Sequence, residues 1–376
     1  MKISYIANVR MPTEKAHGYQ IARVCSEMKA QNMDVTLFVP TRNNNIKQDP
    51  LNYYDLKNNF LLVYIKIFDL MSYVKILGPL SSIGNGFQLA LFLIFTKKID
   101  RKNIIYSRDA DIIFWFSIFG FKTFYYAHNW TRHPWIRKFL LFRVKGIVCN
   151  SIGTENTIKS NFTVPTTVIE NATDKNKYLN HSKIDLRKEL NLPIDKKIAL
   201  YTGHLYGWKG SMVLIESAGG IDSNTIIVAI GGTKDDVEDC ARIAATKGLS
   251  QKIFFLGHKE KILVPKYLAA ADLLLLPNSS KTIESVEYTS PLKLFEYMAA
   301  GSPIIASDLP SIRRILSEDC AYFFKPDDSS DFVRAINLAI ENDNKDKSKK
   351  CLLESEKYSW VSHVTKLRKS FEIMST

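Results

Sequence analysis

The chain has 376 residues, of which 46% are hydrophobic and 24% charged, a balance typical of a globular protein. This composition excludes wholesale disorder, collagen-like repeats and a polytopic membrane protein. At about 150 residues per domain, the length predicts two domains.

The positive charge of the chain is concentrated in its first half. The net charge is +13, from 51 Lys and Arg against 38 Asp and Glu. Residues 1–175 hold 23 basic and 12 acidic residues, whereas the remainder holds 28 and 26. This asymmetry indicates an anionic partner, such as nucleic acid, an anionic membrane surface or a phosphorylated substrate. Because no RNP, zinc-finger or helix-turn-helix pattern accompanies it, we expect no nucleic acid partner.

The cysteines and the apolar segments indicate a cytoplasmic protein. The five cysteines form no C-x-x-C pair, and their odd, sparse number suits a reducing compartment. The apolar run at the N-terminus is too short for a signal peptide. The longest apolar run, Phe87–Phe95, is shorter than the roughly 20 residues that a spanning helix needs. We therefore expect a protein that is cytoplasmic or peripheral on the inner face of the membrane.

Short β-rich apolar runs alternate with helical patterns, which predicts βαβ units and parallel sheets. In the first half we expect a helix over Tyr19–Gln31 and strands at Lys2–Ala7, Asp34–Val39, Ile104–Tyr106, Lys122–Tyr126 and Ile147–Cys149. After a polar stretch, Asp174–Lys188, we expect strands at Lys197–Thr202, Thr225–Ile230, Ile253–Leu256, Leu273–Leu276 and Pro303–Ala306. A charged helical tail follows over Asp343–Met374. The pattern predicts two successive Rossmann-like domains with a linker near residues 175–195.

The most informative segment is Ser290–Gly301, SPLKLFEYMAAG. Ser290 at the N-cap, Pro291 at the first helical position and Gly301 past the end predict a helix. Its N-terminus presents backbone N–H groups and the positive end of the helix dipole, which attract an anion. Lys293 in the first turn opposes that dipole, and an anion held between the two would reconcile them. The alternative is an ordinary amphipathic helix whose charged side chains are solvated.

The run Ser290–Ser307, SPLKLFEYMAAGSPIIAS, resembles the nucleotide-sugar signature of glycosyltransferase family 4, E-x7-E followed by A-M-A-x-G-x-P-V-V-A-S or a near variant. The second glutamate of that signature falls on Glu296, and the resemblance implies that it binds the nucleotide ribose. Ser290, Pro291 and Leu292 fall where the family cradles the donor diphosphate through backbone amides.

The first glutamate of the signature falls on position 288, which is Tyr288 here, with Glu287 beside it. The resemblance makes these two residues the candidates for contact with the donor sugar. It also implies an α/β GT-B fold, two Rossmann-like domains facing each other across a cleft, and a retaining enzyme that needs no metal. We expect an acceptor domain over residues 1–175, a nucleotide-sugar donor domain over 176–357, and a C-terminal helix of about 358–376 that packs back on the first domain.

The segment Tyr201–Gly210, YTGHLYGWKG, lies between a predicted strand and a predicted helix. Its glycines allow close backbone approach, and Lys209 supplies a positive charge for phosphate. It resembles the family loop G-R-L-x-x-x-K-G, in which Lys209 matches the lysine and His204 replaces the arginine. The alternative is a plain turn. Further on, Gly257 and His258 resemble the loop whose backbone contacts the nucleotide base.

In the first domain, the loop Met11–Gly18 resembles the glycine-containing loop of the family whose amide approaches the donor phosphates, here at Gly18. His128 follows a predicted strand, and the resemblance places it against the donor sugar near the transferred carbon. With Lys209 it forms the predicted catalytic pair. The alternatives are a tolerant surface loop and a structural histidine.

The sequence Asp109-Ala110-Asp111 spells D-x-D, the metal motif of a different transferase fold. We discount it because it precedes an apolar, strand-like run inside a GT-B-like domain. Since Lys209 and the helix N-terminus supply the positive charge that a metal would provide, we expect neither a metal nor another cofactor.

Two segments combine aromatic and basic residues, Leu61–Leu80 and Trp130–Lys145, WTRHPWIRKFLLFRVK. Helices at a membrane interface have this composition, with aromatic rings at the headgroups and cations on anionic lipid. The alternative is a core-facing helix with a solvated basic side. With the charge of the first half, these segments favour contact with an anionic membrane surface.

We therefore expect a retaining glycosyltransferase that moves a sugar from a nucleotide-diphosphate sugar to a glycan or lipid-linked acceptor, as in bacterial surface polysaccharide or lipopolysaccharide biosynthesis. One alternative is an enzyme like a nucleotide-sugar 2-epimerase on the same architecture. Another is a non-catalytic partner of a second transferase that binds the nucleotide sugar, because Tyr288 and His204 depart from the family pattern.

Overall fold

The computed structural model describes residues 1–56, 59–128, 130, 134–178 and 182–375, with no description of the side chains of Pro134 and Trp208. The chain divides into two compact units. Unit 1 comprises Met1–Glu170 and Trp360–Thr376, and unit 2 comprises Asn171–Ser359. The chain thus leaves unit 1 once and returns to it at its end.

The strands of unit 1 form one parallel sheet in the order β3-β2-β1-β4-β5-β6-β7. In chain order they are Lys2–Ile6 (β1), Asp34–Pro40 (β2), Leu61–Ile65 (β3), Ile104–Ser107 (β4), Lys122–Ala127 (β5), Gly146–Cys149 (β6) and Thr166–Val168 (β7). The helices between them are Ala16–Ala30 (α1), Pro50–Tyr53 (α2), Val74–Leu77 (α3), Pro79–Phe95 (α4), Ala110–Ile118 (α5), Pro134–Leu140 (α6) and Ile152–Lys159 (α7). This strand order is that of a doubly wound Rossmann sheet.

Unit 2 has a second parallel sheet in the order β10-β9-β8-β11-β12-β13. Its strands are Lys197–Thr202 (β8), Thr225–Ile230 (β9), Ile253–Phe255 (β10), Leu273–Leu276 (β11), Ile304–Ser307 (β12) and Ala321–Phe324 (β13). Its helices are Lys183–Glu189 (α8), Ser211–Ser217 (α9), Lys234–Thr246 (α10), Val264–Ala270 (α11), Leu292–Ala300 (α12), Pro310–Arg313 (α13), Ser329–Glu341 (α14) and Lys345–Ser355 (α15). The prediction of a Rossmann-like arrangement in each half is confirmed.

The two faces of the second sheet carry separate cores because side chains alternate along a strand. Ile198 and Leu200 of β8 lie in a core with Leu294, Phe295 and other residues of α12. Ala199 and Tyr201 of β8 lie in the core on the other face, with residues of α9, α10 and α14. Both faces are covered, as the near-continuous apolar runs of these strands require. Helix α12 is thereby fixed along one face of the sheet.

The last helix, Trp360–Ser375 (α16), belongs to unit 1. It follows a 3₁₀ turn at Glu356–Tyr358, so the predicted tail is two helices, α15 and α16, rather than one. Its apolar stripe is buried: the ring of Phe371 lies 5.3 Å from that of Tyr106 and 4.8 Å from that of Phe124. Trp360 packs at 6.2 Å against Tyr19 of α1.

Three strands were missed by the sequence analysis, and two interpretations were wrong. The missed strands are β3, β7 and β13. Leu61–Leu80 is not one helix, because strand β3, a 3₁₀ turn at Leu70–Tyr73 and α3 share it. The apolar run after Asp109 is helix α5, not a strand: its first turn begins at Ala110, and it packs its apolar side on the sheet. Among the described residues, no helix is both long and apolar enough to span a membrane.

Candidate functional site

The N-terminus of α12 lies at the carboxyl edge of the second sheet. Its N-cap is Pro291, not Ser290 as predicted, and Pro291 provides no capping side chain. Ser290 lies one residue earlier in extended chain, where its carbonyl accepts a hydrogen bond from the Asn171 side chain. The far end is as predicted, with Gly301 in the left-handed conformation at φ 73°. The first amides of α12 are therefore presented without the usual side-chain acceptor.

Helix α12 is tied to the end of β8 by a buried tyrosine. The hydroxyl of Tyr297 accepts a hydrogen bond from the backbone N–H of Thr202 at 2.9 Å. Thr202 is the last residue of β8, and the segment that resembles the family phosphate loop begins directly after it. This contact holds the middle of α12 beside that loop.

Lys293, in the first turn of α12, is the most unusual side chain of the site. The residue is only 9% exposed, and its Nζ is enclosed without a hydrogen-bond partner. Nζ lies 4.0 Å from the ring centroid of Tyr201. Burial, and then the positive charge of Lys209, hold the pKa of Lys293 well below its usual value, against a smaller opposing effect of Glu296. A buried amine without a partner costs free energy, and an anion at this position would recover it.

Lys209 is the second cation at this place. It ends a 3₁₀ turn, Gly207–Lys209, just before α9, and burial lowers its pKa to about 8. The following residue, Gly210, has φ 87°, and a Cβ there would lie 1.8 Å from the carbonyl oxygen of Pro277. Only glycine fits this close approach of two backbones, which fixes the position of Lys209 relative to the end of β11.

The structure places His204 in the same loop, but on its exposed side. Its ring stacks on that of Tyr206, with centroids 4.9 Å apart and planes within 2° of parallel. Its carbonyl accepts a hydrogen bond from the Tyr201 hydroxyl at 2.6 Å. His204 is thus oriented by stacking, whereas Lys209 and Lys293 are enclosed.

Glu296 lies one turn after Lys293 and is 8% exposed. Its carboxylate forms an ion pair with Lys261, a residue that the sequence analysis missed. Lys261 follows the predicted base loop, where Gly257 accepts a hydrogen bond from the Gly231 N–H at 2.8 Å and His258 is exposed. The pairing orients the Glu296 carboxylate, whose oxygens can accept hydrogen bonds from hydroxyl groups.

The two candidates for sugar contact lie in a π-helical turn, Glu284–Tyr288. Glu287 is held by Arg314, with 2.7 Å between the carboxylate and the guanidinium. Tyr288 is half-buried beside it. A further residue missed from the sequence is Asn278, which follows β11: it is fully buried, and neither polar atom of its side chain has a hydrogen-bond partner. An asparagine in a loop carries no sequence signal of this burial.

The remaining predicted residues lie in unit 1. A Cβ at Gly18 would lie 2.3 Å from the hydroxyl of Tyr54, so packing within the unit also requires this glycine. His128 follows β5, and its Nδ1 is enclosed without a partner. Burial, and then the charges of Arg108 and Arg137, lower the pKa of His128 to about 3, so the imidazole is neutral near pH 7.

Both aspartates of the D-x-D sequence accept hydrogen bonds from residues of unit 1. Asp109 accepts a hydrogen bond from the backbone N–H of Asn8 at 2.8 Å, and Asp111 accepts one from Ser82 at 2.9 Å. Burial raises the pKa of both carboxyls. Within the described part of the chain, no group of three or more His, Cys, Asp or Glu side chains is arranged as a metal site.

Known proteins that resemble this chain in sequence are glycosyltransferases. Residues 182–351 match the family model described as "Glycosyl transferases group 1". The O-antigen biosynthesis glycosyltransferase WclY of Escherichia coli is 22% identical over 156 residues, 42% of this chain and 41% of WclY. The matches span less than half the length of the curated relatives. The predicted resemblance to a glycosyltransferase family is confirmed for residues 182–351.

Solved structures show the fold over the whole chain. Anabaena Alr3699/HepE, solved in complex with UDP, superposes with a TM-score of 0.77 at 16% identity, covering 99% of this chain and all of that one. WaaG, a glycosyltransferase involved in lipopolysaccharide biosynthesis, superposes with a TM-score of 0.69 at 12% identity, covering both chains completely. The predicted GT-B fold class is confirmed.

Proposed function

We propose that this protein is a glycosyltransferase that takes a sugar from a nucleoside-diphosphate sugar and transfers it to a glycan or lipid-linked acceptor. The observation that carries the proposal is the enclosed, unpartnered Nζ of Lys293 beside Lys209 at the N-terminus of α12. Lys293 and Lys209, with the first amides of α12 next to Lys293, form a site for a diphosphate. The family match over residues 182–351, which contain both lysines, supports it.

The chemistry follows from where negative charge develops. When the bond between the sugar and the diphosphate breaks, charge accumulates on the leaving nucleotide, and fixed donors stabilise it. Lys209, Lys293 and the first amides of α12 would supply those donors, with His204 at the edge of the loop. Glu296 would accept hydrogen bonds from the ribose hydroxyls. His128 would contact the donor sugar near the transferred carbon.

A panel of UDP-, GDP-, ADP- and CMP-sugars tests the donor. Because a ligand that binds only the folded state raises the melting temperature, the true donor should stabilise the protein at saturating concentration. HepE is solved with UDP, so UDP-sugars are the first to measure. Transfer or hydrolysis of the stabilising donor would then separate a transferase from a protein that only binds it, and altered stereochemistry of the free sugar would indicate an epimerase. Stabilisation by none of the four would contradict the proposal.

We also propose that unit 1 contacts an anionic membrane surface, which would place a lipid-linked acceptor within reach. Helix α6 exposes Trp135 (68%) and Phe139 (62%), and Phe142 beyond it is also exposed. The rings of Phe139 and Phe142 pack with each other and with Phe114 of α5, and with the exposed Trp135 on the same helix we call them the aromatic face. Exposed aromatic side chains on this scale are typical of an interaction surface.

The cations next to the aromatic face are Lys138, Arg143 and Lys145, all exposed. Arg137 is not one of them, because its guanidinium turns inward and donates to the Tyr125 hydroxyl at 2.8 Å. Arg132, which belongs to the predicted aromatic and basic segment Trp130–Lys145, lies outside the described residues. Each cation near anionic lipid contributes about 1 kcal/mol, so three can hold a protein reversibly.

Co-sedimentation with vesicles tests this contact. The wild type should bind vesicles that contain anionic lipid at low salt, and binding should fall as salt rises. A variant with Lys138, Arg143 and Lys145 changed to Ser should lose it. The matched control changes three exposed lysines of unit 2, Lys234, Lys247 and Lys281, and should bind as the wild type does. Equal binding of both variants would refute the assignment to this face.

A further inference from the structure

Three basic side chains of unit 1 come together at the carboxyl edge of its sheet. Arg108 follows β4, His128 follows β5, and His17 lies in the first turn of α1 after the loop that leaves β1. Strand β4 lies between β1 and β5, paired with both. The topology therefore brings the three segments that carry these side chains next to one another. Only His128 was selected from the sequence.

Two of these side chains have enclosed nitrogen atoms without hydrogen-bond partners. These atoms are Nη1 of Arg108 and Nδ1 of His128. An arginine has five N–H donors, and leaving one desolvated and unpaired inside a protein is costly. Two such atoms at adjacent strand ends indicate a ligand that accepts hydrogen bonds.

Asp109 is the acid next to Arg108 in the chain, and the charge of Arg108 lowers the pKa of its carboxyl against the larger effect of burial. Asp109 points its carboxylate at the backbone N–H of Asn8, and burial raises its pKa. After burial itself, the charge of Arg108 is the largest cause that lowers the pKa of His17 to about 4 and that of His128 to about 3. The group is thus a fixed positive charge flanked by two neutral imidazoles.

We propose that Arg108, with His17 and His128, binds a phosphate group of the acceptor. The planar guanidinium matches a phosphate through two parallel hydrogen bonds, and an imidazole N–H can complete the set. This inference rests on the proposed function and deepens it, since it identifies the acceptor as phosphorylated. It also gives one reason for the excess of positive charge in the first half of the chain.

Inorganic phosphate is the probe, titrated into the full chain in the presence of saturating UDP. A bound phosphate favours protonated imidazole, so the NMR resonances of His17 and His128 should shift at a pH near 6, assigned with His17→Gln and His128→Gln variants. Arg108→Gln should weaken phosphate binding by about tenfold or more while UDP binding stays unchanged. The control is Arg101→Gln, which removes an exposed arginine of the same unit that lies over the Phe121 ring.

The outcomes separate this proposal from the previous one. Phosphate that binds alongside UDP and depends on Arg108 supports an acceptor site. Phosphate that UDP displaces indicates that Arg108 serves the donor, which overturns the acceptor assignment but leaves the transferase proposal intact. The inference fails if phosphate causes no chemical-shift change that depends on Arg108. It also fails if phosphate binds as an adventitious ion only, with the same affinity in the wild type and in Arg108→Gln. Arg108→Lys keeps the positive charge but loses the two parallel hydrogen bonds of the guanidinium. It should weaken phosphate binding to an intermediate degree, which tests the inference even if Arg108→Gln does not fold.

Discussion

Replacing Lys293 by Met should change nucleotide binding and stability in opposite directions. Methionine has a similar length and fills the same buried volume, but it carries no charge and needs no hydrogen bond. A charge-assisted hydrogen bond is worth roughly 1.5–3 kcal/mol, so the Kd for UDP should rise roughly 10- to 150-fold. Without nucleotide, the variant should be more stable than the wild type, because the enclosed amine is gone.

The size of that stabilisation follows from the contacts of Nζ. An unpaired buried polar group costs roughly 1–3 kcal/mol, and the contact with the Tyr201 ring at 4.0 Å offsets part of it. We expect the free energy of unfolding to rise by about 1 kcal/mol, or roughly 2–4 °C in melting temperature for a domain of this size.

The pH dependence of this gain has a definite sign. The pKa of Lys293 in the folded protein lies well below its usual value of 10.5, so between the two values the unfolded chain binds more protons. Wild-type stability from this group therefore increases as the pH rises through that window. The advantage of Lys293→Met should be largest at low pH and should narrow as the pH approaches 10.5.

Calorimetry with UDP and thermal unfolding without it measure the two effects. The control is Lys247→Met, at an exposed lysine at the end of α10, and it should alter neither. A folded Lys293→Met variant that binds UDP as tightly as the wild type would refute the diphosphate site. A variant that is less stable than the wild type without nucleotide would refute the view that the amine is costly in the empty site.

Three further predictions concern single residues. Because the pKa of Lys209 is about 8, UDP binding at pH 8 should take up protons and should weaken as the pH rises further. Calorimetry in buffers of different ionisation enthalpy should show this uptake, and the uptake should be smaller in Lys209→Met, where Lys293 remains. His128→Gln should lower turnover about tenfold or more while the Kd for UDP stays unchanged, and full turnover would make this histidine structural. Gly210→Ala should cost roughly 3 kcal/mol or more in urea unfolding, because its Cβ would clash with the Pro277 carbonyl at 1.8 Å. Gly248→Ala, at φ 71° with open space, should cost only about 1–2 kcal/mol, and equal losses would contradict the steric reasoning.

The buried strands of unit 2 were predictable because they are short apolar runs enclosed on both faces. Lys197–Thr202, Thr225–Ile230 and Leu273–Leu276 have the predicted bounds. Leu61–Ile65 was missed because its outer side chains, such as Leu61 and Tyr64, are exposed at the sheet edge, and the run merges with the apolar residues that follow. An edge strand without polar alternation has no clear period.

The candidate site was predictable where local chemistry marks it and hidden where tertiary contacts make it. Lys293 stood out because a cation in the first turn of a helix is unfavourable unless something anionic binds there. The pairing of Glu296 with Lys261 depends on residues 35 positions apart in the chain, and the sequence pattern contains nothing about it. Arg108 was overlooked because the neighbouring D-x-D drew attention to its acids. The roles of all these residues stay predictions until binding is measured.

The return of the chain to unit 1 at Trp360 has a consequence for how the protein is made. Domains usually fold as they leave the ribosome, the N-terminal one first. Here unit 2 is one continuous segment, Asn171–Ser359, whereas unit 1 lacks α16 until residues 360–375 are synthesised. The rings of Phe371 and Trp360 that cover Tyr106, Phe124 and Tyr19 thus arrive only after unit 2 is complete. Residues 1–170 must wait for α16, so a released chain that stops at residue 359 should contain a folded second unit and an unfinished first one.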